Sequence, residues 1–297
     1  MHSDRDEAPR SAAVLASQID GGGVSTADDS RQIVAKTVQT SRTSEGRWLP
    51  AAQILVAVVF LVCWQVAGSQ ASVTFYTSTP LRVLAQIGVW SDQGVLWRGL
   101  RATLTEAVAG FVIGAVFGAV LGFAFGWIRL LGRLLEPFVI LLYSVPKITL
   151  GPLFVIFFGI GMATKIALSA LVVFFLVFFT TFQGVRQVDE ELIAISRVLG
   201  ANRWQALTKI GLPSSTVWVF AGLKIALPNA LIGAVVGEFL AATEGIGFLI
   251  NNAGSELNTS GVFAGVLLLV VASAVLTFIL KVVEDHVLAW QRAGRSS

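Results

Sequence analysis

The sequence predicts an all-α protein, a polytopic bundle of about six transmembrane helices. Of its 297 residues, 55% are hydrophobic and 13% are charged, and the mean hydropathy is +0.77. An average soluble domain carries about 25% charged residues, so this composition excludes a soluble globule and a disordered protein. Residues 107–128 and 257–280 hold no charged side chain. Each run reaches the ~20 residues that a helix needs to cross a bilayer.

The first part of the chain differs from the rest. Residues 1–48 carry seven acidic and six basic side chains among many Ser, Thr, Ala and Gly residues, with no apolar period. This composition predicts a disordered polar tail. The net charge of the whole chain is only +3 and its charges are scattered, which argues against a nucleic-acid partner. One cysteine and two histidines also argue against a metal site.

The gaps between charges locate the spans within a membrane domain of residues 49–290, followed by a short tail of residues 291–297. The third span contains Pro146 and Pro152, each of which removes a helical hydrogen bond. Lys and Arg concentrate in the loops after the second, fourth and sixth spans, which places both termini in the cytoplasm of a cell (inner) membrane protein. The predicted spans are 49–68, 101–127, 134–158, 163–184, 216–241 and 260–283.

The second span carries a stripe of glycines at four-residue spacing. Overlapping G-x-x-x-G units let a neighbouring helix approach to backbone contact. Because four residues turn about 400°, the stripe drifts about 40° per step around the helix. Tight helix packing is the simplest interpretation, and helices that slide past each other in gating are the alternative. The stripe consists of Gly110, Gly114, Gly118, Gly122 and Gly126.

A hydrophilic segment, residues 188–213, separates spans four and five. Apolar residues recur at helical spacing on both sides of Gly200, which predicts a helix, a turn and a second short helix that Pro213 closes. An inert connecting hairpin is the alternative. The apolar residues Leu192, Ile195 and Leu199 are expected to face the bundle, and the basic residues Arg197, Arg203 and Lys209 to face water or a partner.

This segment resembles the cytoplasmic loop of binding-protein-dependent ABC importer permeases. The family pattern is Glu-Ala-Ala, three residues, Gly, nine residues and Ile-x-Leu-Pro; here Gly200, nine residues and the run 210–213 match it. The run 194–196 stands in place of Glu-Ala-Ala and lacks the acid, so the salt bridge of the family's acid is not implied. The resemblance assigns ATPase coupling to Ala194, Ser196, Arg197, Gly200, Ala201, Arg203, Ile210, Leu212 and Pro213.

The resemblance extends over about residues 50–290. Residues 143–161 and 222–250 look most like permeases for nitrate, sulfonate, taurine or bicarbonate; some relatives instead carry thiamine-pyrimidine precursors or aromatic carboxylates. The resemblance implies the type I ABC importer permease fold, a second permease copy, two ATPase subunits and an extracytoplasmic solute-binding protein. The chain itself would not be an enzyme and would bind no cofactor. It lacks the G-x-x-x-x-G-K-[S/T] loop, so ATP and magnesium would bind to the ATPase.

Polar groups inside the spans are candidates for the translocation path. Lys147 could attract an anion or could extend its ammonium group to the membrane surface. Glu238 and Glu244 fall near the outer end of the fifth span and are expected at the rim, where the binding protein docks. The candidate path residues are Tyr143, Ser144, Pro146, Lys147, Thr149 and Asn229.

Two other classes of membrane protein are alternatives. A secondary transporter often shows an internal repeat around a site at the midplane, and no clear repeat is present in this sequence. A channel fits the composition, but a channel would have no function for the hairpin at 188–213. A membrane enzyme would need a reactive constellation such as H-E-x-x-H, which the sequence lacks.

Overall fold

The computed structural model describes residues 51–70 and 77–288, and all regular structure within them is helical. The predicted tails 1–48 and 291–297 lie outside the described residues. Five helices are long and apolar enough to cross a membrane, and a bent pair can supply a sixth span, in agreement with the prediction of about six. The helices are α1 (Ala51–Ser69), α2 (Pro80–Asp92), α3 (Val95–Trp127), α4 (Arg129–Ser144), α5 (Gly151–Phe158), α6 (Met162–Arg186), α7 (Glu190–Val198), α8 (Arg203–Ala206), α9 (Leu212–Ala241), α10 (Ile246–Ser255) and α11 (Thr259–Val287).

The most extensive packing joins α6 to α3 on one side and to α9 on the other. Small and β-branched side chains fill the space between these three helices, which allows their backbones to approach closely. Helix α6 is therefore the central helix of the packed region. The residues buried at its core are Ala115, Val173, Val177, Ala226 and Ala230.

The prediction of tight packing along the glycine stripe is confirmed. All five glycines are buried, and a Cβ placed on any of them would collide with α6. The stripe drifts around α3, yet all five glycines meet the same helix, so α3 and α6 must coil around each other. A repeat longer than 3.6 residues gives this coil a right-handed sense. The backbone carbonyls of α6 that meet the stripe belong to Ile166, Ala170, Phe174, Phe178 and Phe182.

The third predicted span is broken, as Pro146 indicated, whereas the interruption expected at Pro152 is absent. Residues Leu130–Ser144 and Lys147–Phe158 form a pair of helical segments bent by 82°. The break lies at Val145, whose extended backbone (φ −68°, ψ 127°) is typical of a residue that precedes proline. Pro152 does not interrupt the span, because it lies in the first turn of α5, where its missing N–H has no helical acceptor to lose.

Candidate coupling surface and translocation path

Helix α7 begins at a capped end and finishes at a tight turn. The Asp189 side chain accepts a 2.8 Å hydrogen bond from the backbone N–H of Glu191 and so caps the helix. Gly200 follows the helix with a φ of +84°, a conformation that L side chains rarely adopt. A Cβ on Gly200 would meet nothing within 4 Å, so the turn faces open space. The turn predicted at Gly200 is confirmed.

The second half of the segment departs from the prediction. A capping box between Asn202 and Gln205 starts α8, which then continues through a π-helical turn, Leu207–Gly211, into α9. Residues Arg203–Ala241 therefore form one helical stretch of 39 residues. The prediction that Pro213 closes a separate short helix is wrong.

The π-helical turn explains how the helix passes Pro213. A proline in a helix lacks its N–H and clashes with the carbonyl four residues earlier, here that of Lys209. In the π turn the N–H of Leu212 donates to the carbonyl of Leu207, five residues earlier, which widens the helix. Pro213 directly follows this widened turn, as the second residue of α9.

Apolar side chains of α7 and its turn are exposed. Val198 and Leu199 are 87% and 80% exposed, and Leu192 and Ile195 are also exposed. The prediction that Leu192, Ile195 and Leu199 face the bundle is therefore wrong. Helix α7 packs only lightly on the rest of the chain, so its apolar side chains have no covering layer within the described residues. Adjacent large apolar side chains left uncovered mark an interaction surface.

The basic residues of the segment have the predicted exposure. Arg197, Arg203 and Lys209 are exposed, and none of them forms an ion pair with another described side chain. Arg197 lies in the last turn of α7, and Arg203 and Lys209 follow it in the second half of the segment. The rest of the predicted coupling residues lie close by, with Ala194 and Leu212 exposed and Ser196, Ala201, Ile210 and Pro213 partly buried.

One close contact joins the segment to α3, and a second joins the start of α9 to α6. A Cβ on Gly211 would lie within 3.1 Å of three atoms of the Trp127 ring at the end of α3. A Cβ on Gly184, near the end of α6, would collide with Trp218 of α9. The start of α9 is therefore packed directly against the ends of α3 and α6. A displacement of the helical stretch that begins at Arg203 would therefore pass into α3 and α6 through direct packing contacts.

Five of the six candidate path residues lie together at the break of the third span, Pro146 among them. The ammonium group of Lys147 donates to the carbonyl of Tyr143 and lies 3.9 Å from the centre of the Tyr143 ring. It thus caps the C-terminal end of α4, where a cation offsets the helix dipole. Ser144 and Thr149 donate to the carbonyls of Ile140 and Pro146, at 3.0 Å and 2.6 Å.

Asn229 lies apart from these residues, on α9. Its side-chain amide donates a 2.7 Å hydrogen bond to the carbonyl of Ile225 in its own helix. The side chain is half-buried and follows Pro228, which lies inside α9. Asn229 and the group at Tyr143, Ser144, Pro146, Lys147 and Thr149 are therefore two separate polar sites in the spans.

The structure corrects the position of Glu238. This side chain is 1% exposed, so the prediction that it lies at the rim is wrong, whereas Glu244 is exposed in the turn between α9 and α10. Glu238 accepts a 2.6 Å hydrogen bond from the hydroxyl of Thr103 and another from the backbone N–H of Gly247. Counting residues along the fifth span correctly places Glu238 near an end of α9. The count cannot show that other parts of the chain cover that end.

Sequence analysis missed the group to which Glu238 belongs. The ammonium group of Lys165 in α6 contacts the carboxyl group of Glu106 in α3, and both side chains are buried. Glu106 and Lys165 each lie beside an apolar run in the sequence, inside the predicted spans 101–127 and 163–184, and neither was a predicted site residue. The sequence does contain a sign of this pair: Glu106 and Lys165 carry opposite charges, and each lies next to a long run of residues without charge.

Comparison with known proteins gives the family. Residues 97–289 match the family described as "Binding-protein-dependent transport system inner membrane component". The taurine transport system permease protein TauC of Escherichia coli is 31% identical over 84% of this chain and 94% of its own length. The riboflavin transport system permease protein RibX of Chloroflexus aurantiacus is 33% identical over 79% of this chain and 88% of its own.

Solved structures show the same fold. A permease chain of the bacterial alginate ABC transporter, solved with an alginate-bound periplasmic protein, aligns with a TM-score of 0.56 and 15% identity, over 83% of this chain and 97% of that chain. The MetNI methionine ABC transporter in inward-facing conformations aligns with a TM-score of 0.51 and 20% identity, over 63% and 93%. The predicted permease fold is confirmed.

The matched region spans α3 to α11 and includes the coupling segment. The relatives are transport permeases rather than enzymes, channels or secondary carriers, as the resemblance implied. The match to the taurine permease also confirms the resemblance to the sulfonate and taurine subfamily. The chain therefore belongs to the family of binding-protein-dependent transport system inner membrane components, and it is the permease subunit of an ABC importer.

Proposed function

We propose that this chain forms, with a second copy of itself, the translocation path for a small anionic solute such as a sulfonate, taurine, nitrate or bicarbonate. A solute-binding protein delivers the solute from outside. Two separate ATPase subunits, which hold the ATP and magnesium, drive transport by moving α7. Both termini and the segment 188–213 lie on the cytoplasmic side.

The exposed apolar surface of α7 is the observation that carries this proposal. An apolar surface of this kind favours a protein partner over water, and the exposed Arg197, Arg203 and Lys209 of the same segment favour an acidic groove. Beyond the turn at Gly200, one helical stretch, Arg203–Ala241, leads from this surface into the membrane. A displacement of α8, where this stretch begins, would therefore reach the spans as a rigid-body movement.

The cation at Lys147 supports an anionic substrate. Lys147 lies at the 82° bend of the third span and is only partly buried. Its charge at this place would attract an anion in a low-dielectric path. A neutral substrate is the second candidate, because relatives include permeases named for riboflavin and for formylaminopyrimidine, the latter 26% identical over 80% of this chain.

Reconstitution in proteoliposomes with the cognate ATPase and binding protein tests the coupling surface. Val198→Asp places a carboxylate in the most exposed apolar position of α7. We expect the variant to assemble its spans normally but to lose ATP-driven uptake and to retain less ATPase subunit on co-purification. Val198→Ile keeps the apolar surface and serves as the matched control. Full uptake by Val198→Asp, or uptake by the wild type without any ATPase subunit, would overturn the proposal.

A further inference from the structure

Three charged side chains are buried together where α3, α6 and α9 meet. Glu106, Lys165 and Glu238 are 0%, 6% and 1% exposed, respectively, and they are the only buried charged side chains among the residues that the structure describes. Two acids and one base leave a net negative charge if all three are ionised. A net charge enclosed inside a membrane protein is costly, and no further buried counter-charge lies among the described residues.

Glu238 has its hydrogen-bond donors already in place. Its Oε1 accepts from the Thr103 hydroxyl at 2.6 Å, and its Oε2 accepts from the backbone N–H of Gly247. The Thr103 hydroxyl in turn accepts from the N–H of Ile246 at 2.8 Å, so its own proton must point to Glu238. Both carboxyl oxygens therefore act as acceptors, which is the arrangement that favours the ionised form.

Glu106 has a different environment. The Lys165 ammonium lies against its Oε1, but neither carboxyl oxygen receives a hydrogen bond of good geometry from a described donor. Thr103 and Glu106 are one helical turn apart on α3, on the same face, and the Thr103 hydroxyl contacts Glu238 at 2.6 Å, so the buried Glu106 and Glu238 carboxyl groups are neighbours. Two carboxylates cannot hydrogen-bond to each other unless one of them holds a proton.

We propose that Glu106 is a proton-binding site, and that its protonated carboxyl donates a hydrogen bond to the Glu238 carboxylate. The cluster then consists of one ammonium, one carboxylate and one carboxylic acid, and its net charge is zero. Thr103, Lys165 and the N–H groups of Ile246 and Gly247 supply the other contacts. Glu244, the nearest acid along the chain, is exposed and stays outside the cluster.

The neutral cluster positions the turn between α9 and α10. A Cβ on Gly247 would lie 2.6 Å from Oε2 of Glu238, and a Cβ on Gly245 would also collide with the carboxyl group. The turn thus packs its backbone directly onto the Glu238 carboxylate. Because Glu106 holds the proton, Glu238 keeps the charge that these backbone donors need.

Infrared spectroscopy of the purified wild-type protein near neutral pH tests the proton directly. We expect a C=O stretching band of a carboxylic acid, because the exposed acids of the chain are carboxylates at that pH. The band should be lost in Glu106→Gln and kept in Glu244→Gln, the exposed control. Absence of the band in the wild type would overturn the proposal even if no variant folds, and its survival in Glu106→Gln would do the same.

A pair of amide substitutions tests which carboxyl holds the proton. Glutamine at 106 keeps one donor towards Glu238 and one acceptor towards Lys165, so we expect Glu106→Gln to keep its thermal unfolding temperature and uptake close to those of the wild type. Glutamine at 238 turns an amide donor towards the Thr103 hydroxyl or the Gly247 N–H, so Glu238→Gln should unfold at a lower temperature. Equal loss in both variants, or loss in Glu106→Gln alone, would contradict the assignment to Glu106.

Discussion

Gly118 of α3 lies against the backbone carbonyl of Phe174 in α6, so closely that a Cβ on Gly118 would be 2.7 Å from that oxygen. The neighbouring atom belongs to the backbone and cannot move aside as a flexible side chain can. At this distance the Cα of a glycine can instead contact the carbonyl oxygen, a weak interaction that recurs between closely packed helices. The spacing of the glycine stripe is therefore set by the backbone of the partner helix.

Gly118→Ala is expected to destabilise the bundle, although alanine is the better helix former. Overpacking of a close contact costs about 1–3 kcal/mol. In Gly88→Ala, the matched control on α2, the added Cβ meets nothing within 4 Å. The free energy of unfolding of that variant should rise by up to about 1 kcal/mol, because alanine has a higher helix propensity than glycine. Thermal unfolding in detergent measures both, and equal effects at the two positions would contradict the close-packing argument.

Gly200→Trp is expected to fold and yet to uncouple ATP hydrolysis from transport, because the turn faces open space where the ATPase would dock. The φ of +84° also strains any L residue at this position. Gly200→Asn separates backbone strain from steric blocking of the docking surface, because asparagine tolerates a positive φ and is small. Solute-stimulated ATPase activity is the measurement; a normal value in Gly200→Trp would show that the turn contacts no partner.

Lys147→Met is expected to slow uptake of an anionic solute, because it removes the only positive charge at the bend of the third span. It also leaves the end of α4 without its cationic cap, at a cost of about 0.3–1 kcal/mol. Lys147→Arg is the control, because it keeps a positive charge both at the bend and at the end of α4. Uptake at saturating binding protein measures the effect. Unchanged uptake in Lys147→Met would make Lys147 a structural cap alone and would favour a neutral substrate.

Thr103→Val is expected to destabilise the protein by about 1–3 kcal/mol, since it leaves the buried N–H of Ile246 and one Glu238 oxygen without a partner. Thr105→Val is the matched control on the same helix. The Thr105 hydroxyl donates only to the Arg101 carbonyl of its own helix, at 2.7 Å, and is exposed. Thermal unfolding of the two variants compares them, and a similar shift in both would argue against a special role for the buried hydroxyl.

Patterns along the chain predicted several features well because each depends on neighbouring residues. The apolar runs predicted the spans, and Pro146 predicted the break that separates Leu130–Ser144 from Lys147–Phe158. The glycine spacing predicted a close helix contact, which the packing of α3 on α6 confirms. Gly200 predicted a turn. In each case the cause is local: hydration of side chains, a missing N–H or a missing Cβ.

Other predictions were wrong because they needed information from distant parts of the chain. Helical spacing could not show that Leu192 and Ile195 have no partner within the described chain. Pro213 is a helix breaker by local rules, but the π-helical turn before it lets α8 continue into α9. The length of α9 placed Glu238 near an end of a span, yet the turn before α10 covers that end.

The sequence by itself determined the fold class, the order of the spans and the family, because apolar length, proline and glycine act over a few residues and the coupling pattern is contiguous. Only the tertiary structure decided which charges are buried together. Glu106, Lys165 and Glu238 come from three helices far apart in the chain, and the energy of a buried charge depends on the partners that surround it rather than on its neighbours in sequence.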